Sequence, residues 1–219
     1  MEEKNNAIAL MNEYGQSGFP FFFMIDFNGG KSLVLTNSEI DNGKIRFDFS
    51  GINKYKEDLS FGKKLIFKKF PVDYKTYKNS FDHVMKNIQK GNTYLLNLTF
   101  PTKIETNYTL NEIYENSTAK YKLIYEDKFV VFSPETFVKI KNKKIYSFPM
   151  KGTIDADIQN AEKLILNDPK ETAEHYTIVD LIRNDLSIVS ENVEVEKFRY
   201  VEKIKTNQKN LLQVSSKIS

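Results

Sequence analysis

The apolar positions along this chain change period several times, and each change marks an element. Residues 5–16 carry Ala7, Ile8, Leu10 and Met11 among polar neighbours, which predicts a short N-terminal helix ending near Gly15. Residues 19–27 are almost continuously apolar and read as a buried strand. Gly29-Gly30 turns the chain into a second strand over 31–36. Asp41-Asn42-Gly43-Lys44 is a strong turn signal, after which Ile45, Phe47 and Phe49 alternate with polar residues. Leu65 and Phe67 suggest a further strand closed by Pro71, so the opening region reads as an antiparallel meander.

The period then becomes helical. Tyr77, Phe81, Val84, Met85 and Ile88 recur on one face over 74–90, and Gly91 is placed to end that helix. Strand character follows over 93–100. Thr109 and Glu112 have capping-box spacing and open a short helix containing Ile113 and Tyr114. Residues 122–125, 128–132, 137–140 and 144–148 alternate as short strands, with Asn142 in the last turn. Ile158, Ala161, Leu164 and Ile165 mark a helix stopped by Asn167-Asp168-Pro169. A second helix starts at Pro169, a residue suited to a first turn, and runs to about Leu186. Val193 and Val195 begin a final strand. Strands joined mostly by hairpins and interleaved with helices predict an α+β fold of antiparallel sheets with flanking helices.

Composition narrows the chemistry. With 219 residues, 40% of them hydrophobic, the chain is long enough to bury a core. It has no cysteine, which excludes disulfides, thiolate nucleophiles and cysteine-held metals. Its two histidines, His83 and His175, are too few for a histidine-rich metal cluster. Any metal must therefore rest on oxygen ligands, which favours a hard cation such as magnesium. The 32 basic residues face 29 acidic ones, and pairs such as Lys63-Lys64 and Lys143-Lys144 are short. That balance argues against a nucleic-acid surface. The polar start Met1-Glu2-Glu3-Lys4 is no signal peptide, and the apolar run at 19–27 is too short to span a bilayer. The expectation is a soluble cytoplasmic protein without membrane or nucleic-acid partners.

Three segments carry candidate chemistry. Lys151 lies between Phe148-Pro149-Met150 and Gly152-Thr153, where proline and glycine fix an unusual backbone and the apolar neighbours suggest a partly buried loop. A lysine freed of its proton is a nucleophile toward carbon. On spacing alone, one more surface charge is the more ordinary reading. Glu135 follows Ser133-Pro134 at a strand end, where it would serve as a proton donor or face a cation; a carboxylate satisfied by backbone N–H groups is the alternative. Glu171 and Glu174 share a face of the helix beginning at Pro169, where a carboxylate aimed into a cleft would ligate magnesium. A solvated helix face is the plainer reading. Asp180, Arg183, Asn184 and Asp185 read as a lock on that helix's end, and His83 as an exposed or partly packed helix residue.

Together these segments resemble the chorismate-utilising enzyme family over roughly residues 80–219. Gly91-Asn92-Thr93-Tyr94-Leu95-Leu96-Asn97-Leu98 resembles G-D-x-Y-Q-x-N-L. Ser133 to Phe137 resembles S-P-E-R-F, Phe148 to Thr153 resembles P-I-K-G-T, and Ala173 to Leu186 resembles A-E-x-x-M-I-V-D-L-x-R-N-D-L. Lys151 discriminates within the family: the aminodeoxychorismate branch typically has this lysine, and anthranilate synthases typically have alanine. The resemblance implies amination of chorismate to 4-amino-4-deoxychorismate for para-aminobenzoate and folate synthesis. Lys151 is then the nucleophile, Glu135 the general acid and Glu174 a magnesium ligand. Gly152 and Thr153 would line the substrate site, and ammonia would come from a glutamine amidotransferase partner.

The pattern has departures: Leu95 stands for glutamine, Thr136 for arginine, and Gln213 for the histidine of H-L-V-S. The family's later G-S-x-T-G-A-P-K segment has no counterpart. The resemblance therefore implies that residues 1–219 form a single domain, the N-terminal portion of a larger α/β/β/α sandwich, and an inactive fragment by itself. An anthranilate synthase component I, another chorismate-utilising enzyme, and a non-catalytic binding module are the other readings.

Overall fold

A computed structural model describes residues 4–40, 43–52, 63–133, 135–205 and 209–219. The chain divides into two compact units, residues 58–113 and the remainder.

In the larger unit, α1 (Lys4–Gln16) leads into a hairpin of β1 (Phe21–Ile25) and β2 (Ser32–Thr36). A separate three-stranded antiparallel sheet has the order β3 (Ile45–Phe49), β6 (Tyr121–Tyr125), β7 (Phe129–Ser133). Phe22, Ile45, Phe47 and Leu123 form its core, with the Phe22 and Phe47 rings stacked at 4.9 Å. Beside this core, Arg46 pairs with Glu115 at 2.8 Å, both almost fully buried, and lies over the ring of the fully buried Tyr114. Burial pushes the Tyr114 hydroxyl up to about 12.

Another three-stranded sheet of this unit carries the candidate residues Lys151, Gly152 and Thr153. Its order is β10 (Met150–Asp155), β12 (Asn210–Ile218), β11 (Val195–Lys205), all antiparallel. The helices α4 (Ala161–Asn167) and α5 (Pro169–Ser187) follow β10. Pro169 sits in the first turn of α5, as the sequence predicts, and Asp168, read there only as a stop, also caps α5 by accepting from the Glu171 N–H at 2.9 Å. Val179 and Leu186 of α5 pack on Ile218 of β12, with Ile145, Ile182, Val193 and Val195 around them. Apolar positions spaced by three, four and seven on α5 thus press its length against the central strand. A small hairpin of β8 (Lys139–Lys141) and β9 (Lys144–Tyr146) turns through Asn142 and Lys143, both with positive φ.

The smaller unit holds β4 (Phe67–Phe70), α2 (Tyr74–Gln89), β5 (Lys103–Thr106) and the start of α3 (Leu110–Asn116). The capping box forms as expected: the Thr109 N–H donates to Glu112 Oε2 at 2.7 Å, and the Glu112 N–H donates to Thr109 Oγ1 at 3.2 Å.

The α+β class holds, and three expectations do not. The opening strands are not a meander, because β3 pairs with β6 and β4 with β5, across long stretches of sequence. Ile45, Arg46 and Phe47 are consecutive buried residues, so β3 is covered on both faces and belongs inside the unit instead of on a local hairpin. Residues 93–100 form no strand; Thr93 Oγ1 bonds the Leu95 carbonyl locally, and Tyr94 is exposed. The partly buried loop expected at Lys151 is strand β10, interrupted by a bulge. The turn expected at Asp41-Asn42 lies outside the described residues.

Candidate active site

Lys151 owes its position to that bulge. Between Met150 and Thr153 the pairing of β10 with β12 slips, leaving Lys151 and Gly152 out of register. Gly152 takes φ +83°, a left-handed conformation that side chains resist, and α5 approaches it closely: a Cβ there would lie 3.1 Å from Glu171 Oε2. Glycine is thus required at this position by the backbone, while the Glu171 carboxylate would have to give by only a few tenths of an ångström. Gly152→Ala is expected to destabilise the protein by about 1–3 kcal/mol, read as a lowered urea midpoint with an unchanged slope.

On the facing helix, Glu171 and Glu174 share one side. Lys151 Nζ lies 3.6 Å from Glu174 Oε2, with both side chains about a quarter exposed. Lys170 also reaches Glu174 at 3.3 Å and Glu171 at 3.6 Å. Glu135 stands just past β7, where its N–H donates to Ser133 Oγ at 3.1 Å. The residue is exposed overall, yet the protein around its carboxyl raises its pKa, and the Lys151 charge acts in the opposite direction. Lys151 therefore has electrostatic neighbours in Glu135 and Glu174. Thr153 is exposed on β10, opposite Gln213.

Among the described residues, no group of three or more aspartate, glutamate, histidine or cysteine side chains is placed to hold a metal. The donors present are the Glu171 carboxylate, which stands against Gly152, and the Glu174 carboxylate beside Lys151. That set fits magnesium, which commonly takes one or two protein carboxylates and fills its octahedron with water and substrate oxygens. Lys170 would have to yield part of its pairing to such an ion.

Two features were not legible beforehand. Glu171 was visible as a neighbour of Glu174 on the helix, but its approach to Gly152 depends on how α5 seats on the sheet. His175 is fully buried, and its Nε2 lies 2.7 Å from Ser216 Oγ on β12. Burial, aided by the Arg199 charge, holds the His175 pKa down at about 4. Its imidazole is therefore neutral near pH 7, and the unfolded chain binds the proton first as pH falls. Stability should be fully present above about pH 6.5 and decline toward pH 4, by up to about 3 kcal/mol. Urea midpoints measured across that window should fall less in His175→Gln than in the unsubstituted chain. The cluster at Asp180, Arg183, Asn184 and Asp185, expected to lock the end of α5, is exposed; its Asp180–Arg183 pair at 3.7 Å contributes little.

Residues 31–219 match the chorismate binding enzyme family. An uncharacterised PabA-like protein of Pasteurella multocida is 47% identical over 96% of this chain and 65% of its own length. The chain thus spans about two thirds of that relative. Anthranilate synthase alpha subunit 2 of Arabidopsis thaliana is 30% identical over 80% of this chain and 30% of its own length. Aminodeoxychorismate synthase component 1 of Salmonella typhimurium is 30% identical over 52% of this chain and 28% of its own length. In three dimensions the chain resembles a Bacillus anthracis structure described as a 2,3-dihydroxybenzoate-specific isochorismate synthase. The TM-score is 0.62 at 18% identity, covering 98% of this chain and 59% of the other, a likeness of fold. Among the described residues no helix is long and apolar enough to cross a membrane. The bulged lysine facing a helix carboxylate thus sits in a fold and a sequence that agree: this chain belongs to the family of chorismate binding enzymes.

Proposed function

We propose that the protein aminates chorismate to 4-amino-4-deoxychorismate, and that this chain supplies the nucleophile. The observation that carries the reading is Lys151, held on a bulge 3.6 Å from Glu174. An ammonium has no lone pair, so attack requires that Lys151 first pass a proton to water, which is returned when the amine is expelled. The free amine then forms a C–N bond to the chorismate ring as the ring C–O bond breaks. Glu135, whose raised pKa favours a protonated carboxyl, delivers the proton with which that hydroxyl leaves as water. Ammonia next bonds to the ring and expels the Lys151 amine, so that chorismate plus ammonia gives the amino product plus water. Magnesium, held by Glu174 with Glu171 beside it, would neutralise the substrate carboxylate. Gly152 and Thr153 would border the ring, and a glutamine amidotransferase subunit would supply the ammonia.

Incubation of the protein, in the longest form its gene encodes, with chorismate, ammonium and magnesium, followed by mass identification of the product, tests this. 4-Amino-4-deoxychorismate supports the reading. Anthranilate would move the protein to the other branch, and chorismate left unbound and unchanged would make the chain a non-catalytic module.

A further inference from the structure

We infer that Ser216 is a positioning residue that sets Lys151 and Glu174 at their working distance. The inference rests on the roles proposed above for those two residues.

Ser216 is fully buried on β12, the central strand of the site-bearing sheet. Both neighbours of β12 bulge beside it. The β10 register slips between the partners of Ser215 and Gln213, and the β11 register slips between the partners of Lys217 and Ser215. Ser216 ties these irregular segments together. Its N–H donates to the Pro149 carbonyl at 2.9 Å, two residues before Lys151. Its Oγ accepts from the Arg199 N–H at 3.0 Å, where Arg199 takes φ +50° in the β11 bulge. The same Oγ meets His175 Nε2 at 2.7 Å, one residue after Glu174. A hydroxyl has one proton and two lone pairs, so both side-chain bonds are within its capacity.

One serine therefore grips the Lys151 strand through its backbone and the Glu174 helix through its side chain. The Phe198 ring packs edge-on against His175 from the β11 bulge and closes the joint. Neighbouring Ser215 is equally buried, but its hydroxyl donates to Glu202 Oε2 at 2.9 Å on β11 and has no bond to α5. Consecutive strand residues face opposite sides of a sheet, so Ser215 is a control with the same burial and a different direction.

The test is zero-length carbodiimide coupling between lysine amines and carboxylates in the unliganded chain, with peptide mass spectrometry. It compares two products on the same carboxylate. The Lys151–Glu174 product reports the seat of α5 on the sheet. The Lys170–Glu174 product forms within α5 and is the internal reference. Removing a buried hydrogen bond worth about 1 kcal/mol should lower the ratio of the first to the second about fivefold in Ser216→Ala. Ser215→Ala should leave the ratio unchanged. His175→Leu should lower it, and His175→Gln, which restores a polar tip, should recover it. If Ser216→Ala does not fold, the His175 pair decides. An unchanged ratio in folded Ser216→Ala, or an equal loss in Ser215→Ala, overturns the inference. A protein that in the longest form its gene encodes neither binds nor aminates chorismate, in company with a chain that shows the predicted ratios, would overturn the functional reading and leave the positioning role standing.

Discussion

Lys151→Ala should reduce ammonia-dependent amination of chorismate by about a thousandfold or more, equivalent to about 4 kcal/mol of lost transition-state stabilisation. Lys151→Arg separates the two things a lysine offers. Arginine would keep a cation beside Glu174 but cannot lose its proton at ordinary pH, so it cannot attack carbon. If Lys151 acts as nucleophile, the arginine variant should be nearly as inactive as the alanine variant. If its purpose is only to balance Glu174, arginine should retain most of the rate. The initial rate of product formation, with chorismate binding measured calorimetrically in parallel, distinguishes loss of chemistry from loss of substrate.

The second large effect concerns stability. Arg46 and Glu115 pair at 2.8 Å with side chains only 7% and 4% exposed, and Arg46 also rests on the Tyr114 ring. Arg46→Met would strand a carboxylate in the interior. The expected cost is about 3–5 kcal/mol, which for a chain of this size lowers the thermal midpoint by roughly 10 °C. Replacing both partners, as in Arg46→Met with Glu115→Leu, should recover much of the loss because no unpaired charge remains. Thermal unfolding followed by circular dichroism checks both. A single variant as stable as the parent would show that the pair does not hold the β3 side of the unit.

Much of the local structure was legible because it depends on neighbours in sequence. The helical spacing of Tyr77, Phe81 and Val84, the helix start at Pro169 and the box from Thr109 to Glu112 each specify an element without help from afar. Strand partnership was not legible. Ile45 alternates with Phe47 as a hairpin strand would, yet the buried Arg46 between them signals a strand covered on both sides, and only the tertiary fold shows β6 beside it. The same limit applied to the site. Lys151, Glu135 and Glu174 were proposed by motif, and the bulge that carries Lys151 was hinted at by Gly152. The seat of α5, through His175 and Ser216, joins residues 41 positions apart and leaves no local pattern. Its only trace in the sequence was a histidine in an otherwise apolar helical face.

The most direct test of the central claim omits ammonia. With chorismate and magnesium but no ammonia or glutamine, the second displacement cannot occur, and the first should leave the substrate ring on the enzyme. The account predicts that the peptide bearing Lys151 gains the mass of chorismate less one water, and that added ammonium discharges it as 4-amino-4-deoxychorismate. A preparation that aminates chorismate while Lys151 stays unmodified, or that carries the ring on another residue, would contradict it.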